Sequence, residues 1–353
     1  MSSPARVTMA DVARRCGVSA MTVSYCYNQP DRVAPDTLRR VREAAAELGY
    51  RGPDPTARSL RRRHNGAIGV VLGEHLAYAF EDPQARRFLA GVAEVCRERG
   101  SGLNLIPTTG AADDVERVRS ASVDGYIVWT TVDTDPVLAV VTGLGKPVAV
   151  HGGPAVPGAR VVTIDNRASA RELAAHTFPG ARRPAVLAFP FDRDRRPRLE
   201  TGPDPAGVVF PVTRERLLGI YDHCRDAGRD PRGLPVAVVA RNDREEAAAM
   251  ADVLFETCNA DAVVAMSDQL AFAVLDAAHR RGLHVPGDVA VAGWDDDPDA
   301  GRAGFTTITQ SLFAQGRDCA LIALGERGAV RDAEWTATVR NSTREASEMT
   351  GFP

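Results

Sequence analysis

Apolar residues recur at helical spacing in the first fifty positions of the chain. Two sets are predicted to pack against each other: Met9, Val12, Ala13 and Cys16 on a first helix, and Val18, Val23 and Tyr27 on a second. Gly17 lies between these helices, and the Ser19 hydroxyl is placed to cap the second. A third helix is predicted from Pro35 to Leu48, ending at Gly49. Three short helices with a glycine turn between the first two predict a helix-turn-helix.

The pattern changes after Ala67 to short apolar runs that alternate with amphipathic segments such as Phe88 to Arg99. The runs form two series, 67–72, 103–106, 125–129 and 147–150, then 185–189, 236–239, 262–265 and 288–292. Continuous apolar strands separated by helices predict parallel sheets covered on both faces. We therefore predict an α/β fold class, in which the three-helix module precedes two doubly wound parallel-sheet subdomains. A cleft is expected where the carboxyl ends of the strands point.

The domain organisation follows from these patterns. A Gly-Pro-Asp-Pro run at 52–55 cannot continue a helix, and a short basic segment follows it. We expect a helix-turn-helix domain at 1–53, a short helix or linker at 54–66, and an α/β domain at 67–353. The last is expected to contain two subdomains, approximately 67–164 with 299–325 and 165–298 with 326–353. The stretch 192–211, rich in Arg, Asp and Pro, is expected to be an exposed loop near the cleft.

Charge is distributed unevenly along the chain. Residues 1–66 contain 12 Arg and 6 Asp or Glu, a formal charge of +6, whereas the whole chain carries −3, so the remainder carries −9. A basic segment of this kind can be a solvated surface face. Here it coincides with the predicted helix-turn-helix, whose second helix can enter a DNA major groove, and this favours nucleic acid as the partner.

Composition excludes several classes of protein. Hydrophobic residues make up 44% and charged residues 25% of the 353 positions, as in ordinary globular proteins. We expect a cytoplasmic protein without a membrane partner, because no apolar run has the length of a membrane span and the first residues lack a signal-peptide layout. The 6 cysteines are scattered without a CxxC pair or a nearby His cluster, so buried reduced thiols are expected rather than metal sites or disulfides.

Motifs of enzymes are missing as well. The sequence contains no GxGxxG after a strand, no Walker A motif, no GxSxG and no HExxH. We therefore expect no catalytic residues, no cofactor and no enzymatic activity.

Several motifs resemble those of the lac/gal repressor family. In the headpiece they are Asp11-Val12-Ala13, Gly17-Val18-Ser19, Thr22-Val23-Ser24, Asn28 and Leu48-Gly49-Tyr50. The body is similar to the periplasmic-binding-protein-like effector domain of that family, most clearly over 266–297. The resemblance implies that 54–66 is a hinge helix or linker and that 67–353 is an effector-binding and dimerisation domain. The resemblance implies a ligand-responsive transcriptional regulator, expected to be a repressor. It would bind a palindromic operator in double-stranded DNA as a homodimer, with a sugar or sugar derivative as effector in the cleft.

The same resemblance assigns DNA contacts. Ala20, Met21 and Tyr25 would face base edges, while Thr22, Ser24 and Asn28 would contact phosphates. Leu60 would be an apolar wedge in the minor groove. The full expected set is Thr8, Ser19, Ala20, Met21, Thr22, Ser24, Tyr25, Asn28, Ala57, Arg58, Leu60 and Arg61. The alternative for 54–66 is a disordered basic linker.

The resemblance also assigns an effector site. Arg216 would be a clamp with several donors, and Asp295, at the end of its strand, would accept hydrogen bonds from hydroxyl groups. The full expected set is Arg216, Asp295, Trp294, Ser267, Asp268, Phe80, His75 and His151. Each residue has a local alternative: Asp268 could cap a helix, Arg216 could pair with a carboxylate, and Trp294 could be packing.

Two other functions compete with a regulator. An exported sugar-binding protein without a transcriptional role would fit the body, but the basic head and the missing signal peptide oppose it. An enzyme is opposed by the missing motifs.

Overall fold

The computed structural model describes residues 7–52, 65–73, 76–326 and 333–344. The chain divides into two compact units, Met1–Asn65 and Gly66–Pro353, and each is described by itself. Some positions with predicted roles lie outside the described residues. They are Ala57, Arg58, Leu60, Arg61 and His75.

The first unit contains three α-helices. They are α1 (Met9–Cys16), α2 (Ala20–Asn28) and α3 (Pro35–Leu48), with a 3-10 turn at Pro30–Arg32. Val12, Val23 and Val41, one from each helix, are fully buried at the centre of the core. Because this small core holds the helices together through apolar contacts, their polar faces remain free for solvent or a ligand.

The ends of these helices follow the local sequence. Thr8 and Asp11 form a capping box at the start of α1. The Ser19 hydroxyl accepts a hydrogen bond from the Thr22 backbone N–H at 3.0 Å, which caps α2. Gly17 and Gly49 end α1 and α3 with φ of 65° and 68°, a left-handed conformation that glycine adopts without a Cβ clash. The predicted helix-turn-helix is confirmed.

The second unit begins with a lobe built on an entirely parallel five-stranded sheet in the order β2-β1-β3-β4-β5. Its strands are β1 (Ala67–Leu72), β2 (Gly102–Pro107), β3 (Gly125–Trp129), β4 (Val148–His151) and β5 (Arg160–Val162). Its helices are α4 (Tyr78–Glu81), α5 (Pro83–Arg99), α6 (Asp113–Arg119), α7 (Pro136–Gly143) and α13 (Leu312–Ala323). Residues of α5 and α13 pack on one face of the sheet, and residues of α6 and α7 on the other.

The second lobe holds a seven-stranded sheet in the order β12-β11-β10-β9-β6-β8-β7. Its strands are β6 (Pro184–Ala188), β7 (Arg198–Thr201), β8 (Pro235–Val238), β9 (Ala262–Ala265), β10 (Ala290–Asp295), β11 (Thr306–Gln310) and β12 (Trp335–Thr338). Its helices are α8 (Asn166–Thr177), α9 (Pro211–Asp226), α10 (Arg244–Glu256), α11 (Asp268–Arg280) and α12 (Pro298–Ala303). Helix α8 packs with α9, and α10 with α11.

The two predicted parallel sheets are confirmed, with additions at the edges of the second. Strands β7 and β12 run antiparallel to β8 and β11. Strand β7 lies within 192–211, so the interpretation of that whole stretch as a loop is wrong. Three of its four residues are half-buried and Thr201 is exposed, at a sheet edge where polar side chains can face solvent, and this explains why no apolar run marked it.

One subdomain boundary also needs correction. The sequence assigned 299–325 to the first subdomain, yet α12 and β11 belong to the second lobe, because β11 pairs with β10 from Thr306 to Thr309. The chain returns to the first lobe only at α13, which packs on α5. Both elements are short, and their sequences carry no signal for the sheet that they join.

Glycines allow two helix pairs to approach closely. A Cβ on Gly91 of α5 would collide with the carbonyl oxygen of Phe313, and one on Gly316 of α13 with that of Phe88. In the second lobe, a Cβ on Gly219 of α9 would collide with the carbonyl oxygen of Arg167. Backbone therefore meets backbone in both lobes, and no side chain can be added at these points without moving a helix.

Candidate DNA-reading face and effector cleft

The exposed side of α2 carries the residues expected to face bases. Met21 is 63% exposed and Tyr25 37% exposed, and Ala20 is exposed beside them. Large apolar side chains are costly to leave in water on such a small unit, so this face is a candidate contact surface. Its side chains offer methyl, thioether and ring surfaces with a single hydroxyl, which suits contact with thymine methyl groups better than bidentate hydrogen bonding.

The residues expected to contact phosphates form hydrogen bonds within the first unit. The Ser19 and Thr22 hydroxyl oxygens lie 2.9 Å apart, and the Asn28 amide donates to the Ser24 carbonyl at 2.9 Å. The Thr8 hydroxyl donates to the Asp11 carboxylate at 2.6 Å. These bonds fix the side chains around the helix ends, and their contacts with DNA stay a prediction.

A cleft lies in the second unit where the carboxyl ends of strands from both lobes meet. Its empty volume, the part open to solvent included, is about 1010 Å³. The wall combines aromatic rings with polar side chains. The polar and charged members are Asp82, Gln84, Thr130, Thr131, His151, Thr163, Asn166, Arg195, Thr213, Arg216, Asn242, Asp295, Gln310 and Gln315, and the aromatic members are Tyr78, Trp129, Phe189 and Phe210.

Arg216 is a buried cation in this wall. It is 5% exposed and lies in the first half of α9, where its Nε donates to Asn166 Oδ1 at 2.9 Å and its Nη1 donates to the Met266 carbonyl oxygen. The guanidinium stacks 3.8 Å from the ring centre of Trp294. Burial lowers the pKa of Arg216 to about 10, while the nearby Asp295 acts in the opposite direction. A guanidinium with this pKa stays charged at neutral pH.

Asp295 is a buried carboxyl at the end of β10. It has a φ of 109°, a strained value for a residue with a side chain. Its Oδ1 accepts a hydrogen bond from Gln310 Nε2 at 2.7 Å. Burial raises the pKa of Asp295 to about 7, an effect that Arg216 and the Gln310 hydrogen bond oppose.

His151 ends β4 in the first lobe and also lines the cleft. Its Nε2 lies 2.8 Å from Gln315 Oε1, and Gln315 Nε2 donates to Gln310 Oε1 at 3.0 Å. Burial lowers the pKa of His151 to about 4, with the Arg216 charge acting in the same direction and the Gln315 hydrogen bond against it. The imidazole is therefore neutral at pH 7.

Three further contacts join the lobes. The Asn242 amide donates to Asp82 Oδ2 at 2.6 Å. Two ion pairs connect Arg193 with Asp135 at 2.7 Å and Arg214 with Asp133 at 3.0 Å. Asp135 is nearly fully buried, so its pair with Arg193 is shielded from solvent more than a surface pair would be.

The structure brings three of the predicted effector residues, Arg216, Asp295 and His151, into the cleft wall. Trp294 is not part of that wall. It is 1% exposed and lies behind Arg216, because β10 alternates its side chains and places Trp294 and Asp295 on opposite faces. Within the described residues, its Nε1 is the one buried side-chain polar atom without a hydrogen-bond partner.

Ser267, Asp268 and Phe80 also need correction. Ser267 caps α11 by accepting from the Leu270 N–H at 3.1 Å. Asp268 accepts from the Asp297 N–H at 2.7 Å and the Thr307 hydroxyl at 2.8 Å, so both of its oxygens are used within the second lobe. Phe80 is 60% exposed on α4, while Tyr78 of the same helix lines the cleft.

The sequence interpretation missed several residues of the cleft wall. They are Tyr78, Asp82, Trp129, Phe189, Asn242, Gln310 and Gln315. Trp129 and Gln310 end their strands, as Asp295 does, so the rule that strand ends line the cleft was a usable signal. In the part of the chain that the structure describes, no three His, Cys, Asp or Glu side chains are grouped to hold a metal ion. In the same ranges, no helix is both long and apolar enough to cross a membrane.

The raised pKa of Asp295 gives a testable pH dependence. A carboxyl group whose pKa is near 7 in the folded state and about 4 in the unfolded state binds its proton more tightly when the protein is folded. The free energy of unfolding therefore falls as pH rises from 4 to 7. Asp295→Asn removes this titration and retains an acceptor for Gln310. We expect the variant to gain about 2 kcal/mol over wild type between pH 5 and pH 7, measured by denaturant unfolding without ligand. A difference between the two proteins that does not change with pH would contradict the shift.

Comparisons with known proteins agree with both units. Residues 8–52 match the model of bacterial regulatory proteins of the lacI family, and residues 200–334 match a periplasmic binding protein-like domain. An HTH-type transcriptional regulator of Mycolicibacterium smegmatis is 39% identical over 328 residues, covering 89% of this chain and 89% of the relative.

Two solved structures are similar in fold and sequence. A LacI-family transcriptional regulator from Corynebacterium glutamicum has a TM-score of 0.71 and 27% identity, covering 95% of this chain and 98% of that one. The complex of the transcriptional regulator CelR with cellobiose has a TM-score of 0.65 and 28% identity, covering 96% of this chain and 100% of that one.

A helix-turn-helix unit, followed by a two-lobed unit with a polar cleft, defines the class of DNA-binding transcriptional regulators with a binding-protein-like sensor. The chain belongs to the LacI family of bacterial transcriptional regulators. This membership excludes the alternative of a solute-binding protein without a transcriptional role.

Proposed function

We propose that this regulator is a cytoplasmic repressor that binds a palindromic operator as a homodimer and is controlled by a neutral sugar or sugar derivative, without turnover of that ligand. The observation that carries the effector assignment is the composition of the cleft wall. Two carboxyl groups, Asp82 and Asp295, stand with two guanidinium groups, Arg195 and Arg216, among amides and aromatic rings. The relative CelR binds cellobiose, a neutral disaccharide, which supports the same ligand class here.

The chemistry of the wall fits a polyhydroxylated ring. Each sugar hydroxyl donates one hydrogen bond and accepts others, so it can pair with a carboxylate, an amide or a guanidinium. The apolar faces of a sugar ring can lie against Trp129 or Phe189. A phosphate or carboxylate on the effector would face Asp82 and Asp295 as well as the two guanidinium groups, so the wall offers no uniformly positive surface to an anion. We therefore expect neutral ligands to bind more tightly than their phosphorylated or carboxylated counterparts.

Control of DNA binding requires coupling between the lobes and the first unit. The cleft wall draws residues from both lobes, so a ligand that bridges Asp295 and His151 would favour one arrangement of the lobes over another. A coupling of roughly 1–3 kcal/mol changes operator affinity about 5- to 150-fold. That amount corresponds to only one or two hydrogen bonds made in one arrangement and not in the other.

The test of this proposal uses the full chain. DNA retention should fall steeply with salt, because the Arg-rich first 66 residues would displace counterions from DNA phosphates. A panel of D-ribose, D-glucose, cellobiose and glucose 6-phosphate would then be added at fixed salt. We expect at least one neutral sugar to raise the thermal midpoint and to change operator retention. Absence of DNA binding at low salt under every condition would contradict the proposal.

Tyr25 allows the DNA-reading face to be tested separately. Tyr25→Ala removes an exposed ring from α2 and leaves the core residues Val12, Val23 and Val41 in place. We expect affinity for the operator to fall about 10- to 100-fold, since losing the readout of one base pair costs roughly 1–3 kcal/mol. Binding to unrelated DNA should change little, as measured by gel retardation.

The matched control for Tyr25 is Arg39→Ala on α3, whose side chain is 66% exposed and pairs with Asp36. It removes a positive charge without touching α2, so it should weaken binding to all DNA sequences by a similar small factor. If Tyr25→Ala weakened binding to the operator and to unrelated DNA by the same factor, Tyr25 would not be a residue that reads bases.

A further inference from the structure

Four side chains form a continuous hydrogen-bond relay along one wall of the cleft. The relay runs from Asp295 Oδ1 to Gln310 Nε2 at 2.7 Å, from Gln310 Oε1 to Gln315 Nε2 at 3.0 Å, and from Gln315 Oε1 to His151 Nε2 at 2.8 Å. Asp295 and Gln310 end strands of the second lobe, while His151 and Gln315 belong to the first. The relay therefore crosses between the lobes beside the segment that joins β11 to α13.

The direction of the relay is set at its carboxylate end. Asp295 Oδ1 accepts from the Gln310 amide nitrogen, as a carboxylate oxygen does and as the carbonyl oxygen of the protonated acid also does, so the Gln310 amide oxygen is left to accept. The Gln315 amide nitrogen then donates to Gln310, and its own oxygen is left to accept from His151. Because an amide oxygen has no proton to give, the proton of the imidazole lies on Nε2. The other ring nitrogen, Nδ1, is then an acceptor.

The surroundings of the ring keep it neutral and in place. The His151 ring centre lies 4.7 Å from that of Phe88 and 5.9 Å from that of Trp129. The residue is 9% exposed and lines the cleft, so its remaining accessible surface faces the ligand space. Gln315 is the hydrogen-bond partner of Nε2, so a polar contact between the ring and a ligand in the cleft would be made by Nδ1. The burial that lowers the pKa of His151 also prevents a second proton from occupying Nδ1.

We propose that His151 is a specificity-determining residue, held by the relay as a hydrogen-bond acceptor that requires a donor group on the effector. A hydroxyl or an amine on the effector can donate a hydrogen bond to Nδ1. A carboxylate or phosphate oxygen placed there would bring its own lone pairs against the lone pair of Nδ1. The inference deepens the proposed function, because it specifies one contact in the same cleft. Asp295 and the two glutamines act on the ligand partly through His151, as positioning residues.

The first arm of the experiment needs no ligand. The full chain would be labelled with ¹⁵N-histidine, and long-range proton–nitrogen spectra would be recorded from pH 5.5 to pH 8. The chain has 7 histidines, so the His151 ring is assigned by its absence from the His151→Gln spectrum. We expect a protonated Nε2 and an unprotonated Nδ1 over this whole range. A proton on Nδ1, or a doubly protonated ring at pH 6, would overturn the proposal.

Gln315→Leu provides a second readout from the same spectra. The substitution removes the acceptor for Nε2 and keeps a helix-forming side chain on α13. We expect the Nδ1-protonated tautomer of His151 to become detectable in this variant. An unchanged single tautomer would show that the relay does not hold the ring.

The second arm measures specificity with two matched variants. Gln at position 151 can place its amide nitrogen where Nε2 was and donate to Gln315, but it leaves no acceptor at Nδ1. Asn can place an oxygen where Nδ1 was. For whichever of D-ribose, D-glucose and cellobiose raises the thermal midpoint of the wild type, we expect about 10-fold weaker binding to His151→Gln and closer to wild-type binding to His151→Asn.

The outcomes separate the two proposals. Equal binding of the sugar to wild type and His151→Gln would reject His151 as the specificity residue and leave the proposed function standing. If no sugar shifted the wild type, the sugar assignment of the proposed function would fail, and the histidine spectra would still decide whether Nδ1 is an acceptor.

Discussion

Alanine in place of Asp295 is expected to abolish the response to the effector while the ligand-free protein still binds its operator. Asp295 is the carboxyl at the end of β10, held in the cleft by a strained backbone and by the Gln310 hydrogen bond. Its removal would take away the acceptor that we propose for ligand hydroxyls, together with the carboxyl group that acts electrostatically on Arg216. The loss of two hydrogen bonds to a charged group, each worth about 1.5–3 kcal/mol, would weaken binding more than 100-fold. Operator release would be titrated with the sugar that stabilises the wild type.

Two other substitutions make this result specific. Asp295→Asn keeps the shape and an acceptor for Gln310, so it should weaken effector binding by about 10- to 100-fold rather than abolish the response. Asp299→Ala, on α12 with a side chain that is 63% exposed, removes a carboxylate from the same region outside the cleft wall and should respond as wild type does. A normal response in Asp295→Ala would exclude this carboxyl from the effector site.

Alanine in place of Gly91 is expected to destabilise the second unit by about 3 kcal/mol. The added methyl group would meet the Phe313 carbonyl and lie close to the Arg317 backbone nitrogen, both in α13 or at its start. Backbone cannot rotate away as a side chain can, so α5 and α13 must separate and lose packing against the first sheet. The gain in helix propensity from glycine to alanine, about 1 kcal/mol, is too small to offset this cost. Chemical denaturation of the full chain, followed by far-UV circular dichroism, would measure the loss.

Gly143→Ala is the matched control for this prediction. Gly143 ends α7 in the same lobe, and a Cβ placed there meets nothing within 4 Å. The substitution should be neutral or stabilise by a few tenths of a kcal/mol. Similar stability changes in the two variants would show that the close approach of α5 and α13 is not tight enough to exclude a methyl group.

The first unit could be predicted closely because its signals are local. The Ser19 cap, the glycines at 17 and 49 and the apolar stripe of α1 act within a few residues of each other, and each was confirmed. The strands of the two sheets were also predictable, since buried parallel strands are continuously apolar. Strand ends then indicated the cleft edge to which Asp295 contributes.

The remaining site residues depend on contacts between distant parts of the chain. Nothing near Gln310 or Gln315 in the sequence shows that they connect His151 with Asp295, because the relay exists only after two lobes assemble. Trp294 was expected beside the ligand, yet strand alternation places it behind Arg216. Phe80 and Tyr78 differ by half a helical turn, and the sequence alone does not indicate which of them faces the cleft.

The return of the chain to its first lobe has a consequence for synthesis on the ribosome. The last strand of that lobe ends at Val162, but its helix α13 begins only at Leu312, after most of the other lobe has been made. Until then, α5 covers that face of the sheet without α13, and the apolar surface against which α13 packs, near Phe88 and Ile127, stays exposed to water. We therefore expect nascent chains that stop before Leu312 to bind chaperones, and the domain to complete its folding only when translation is nearly finished.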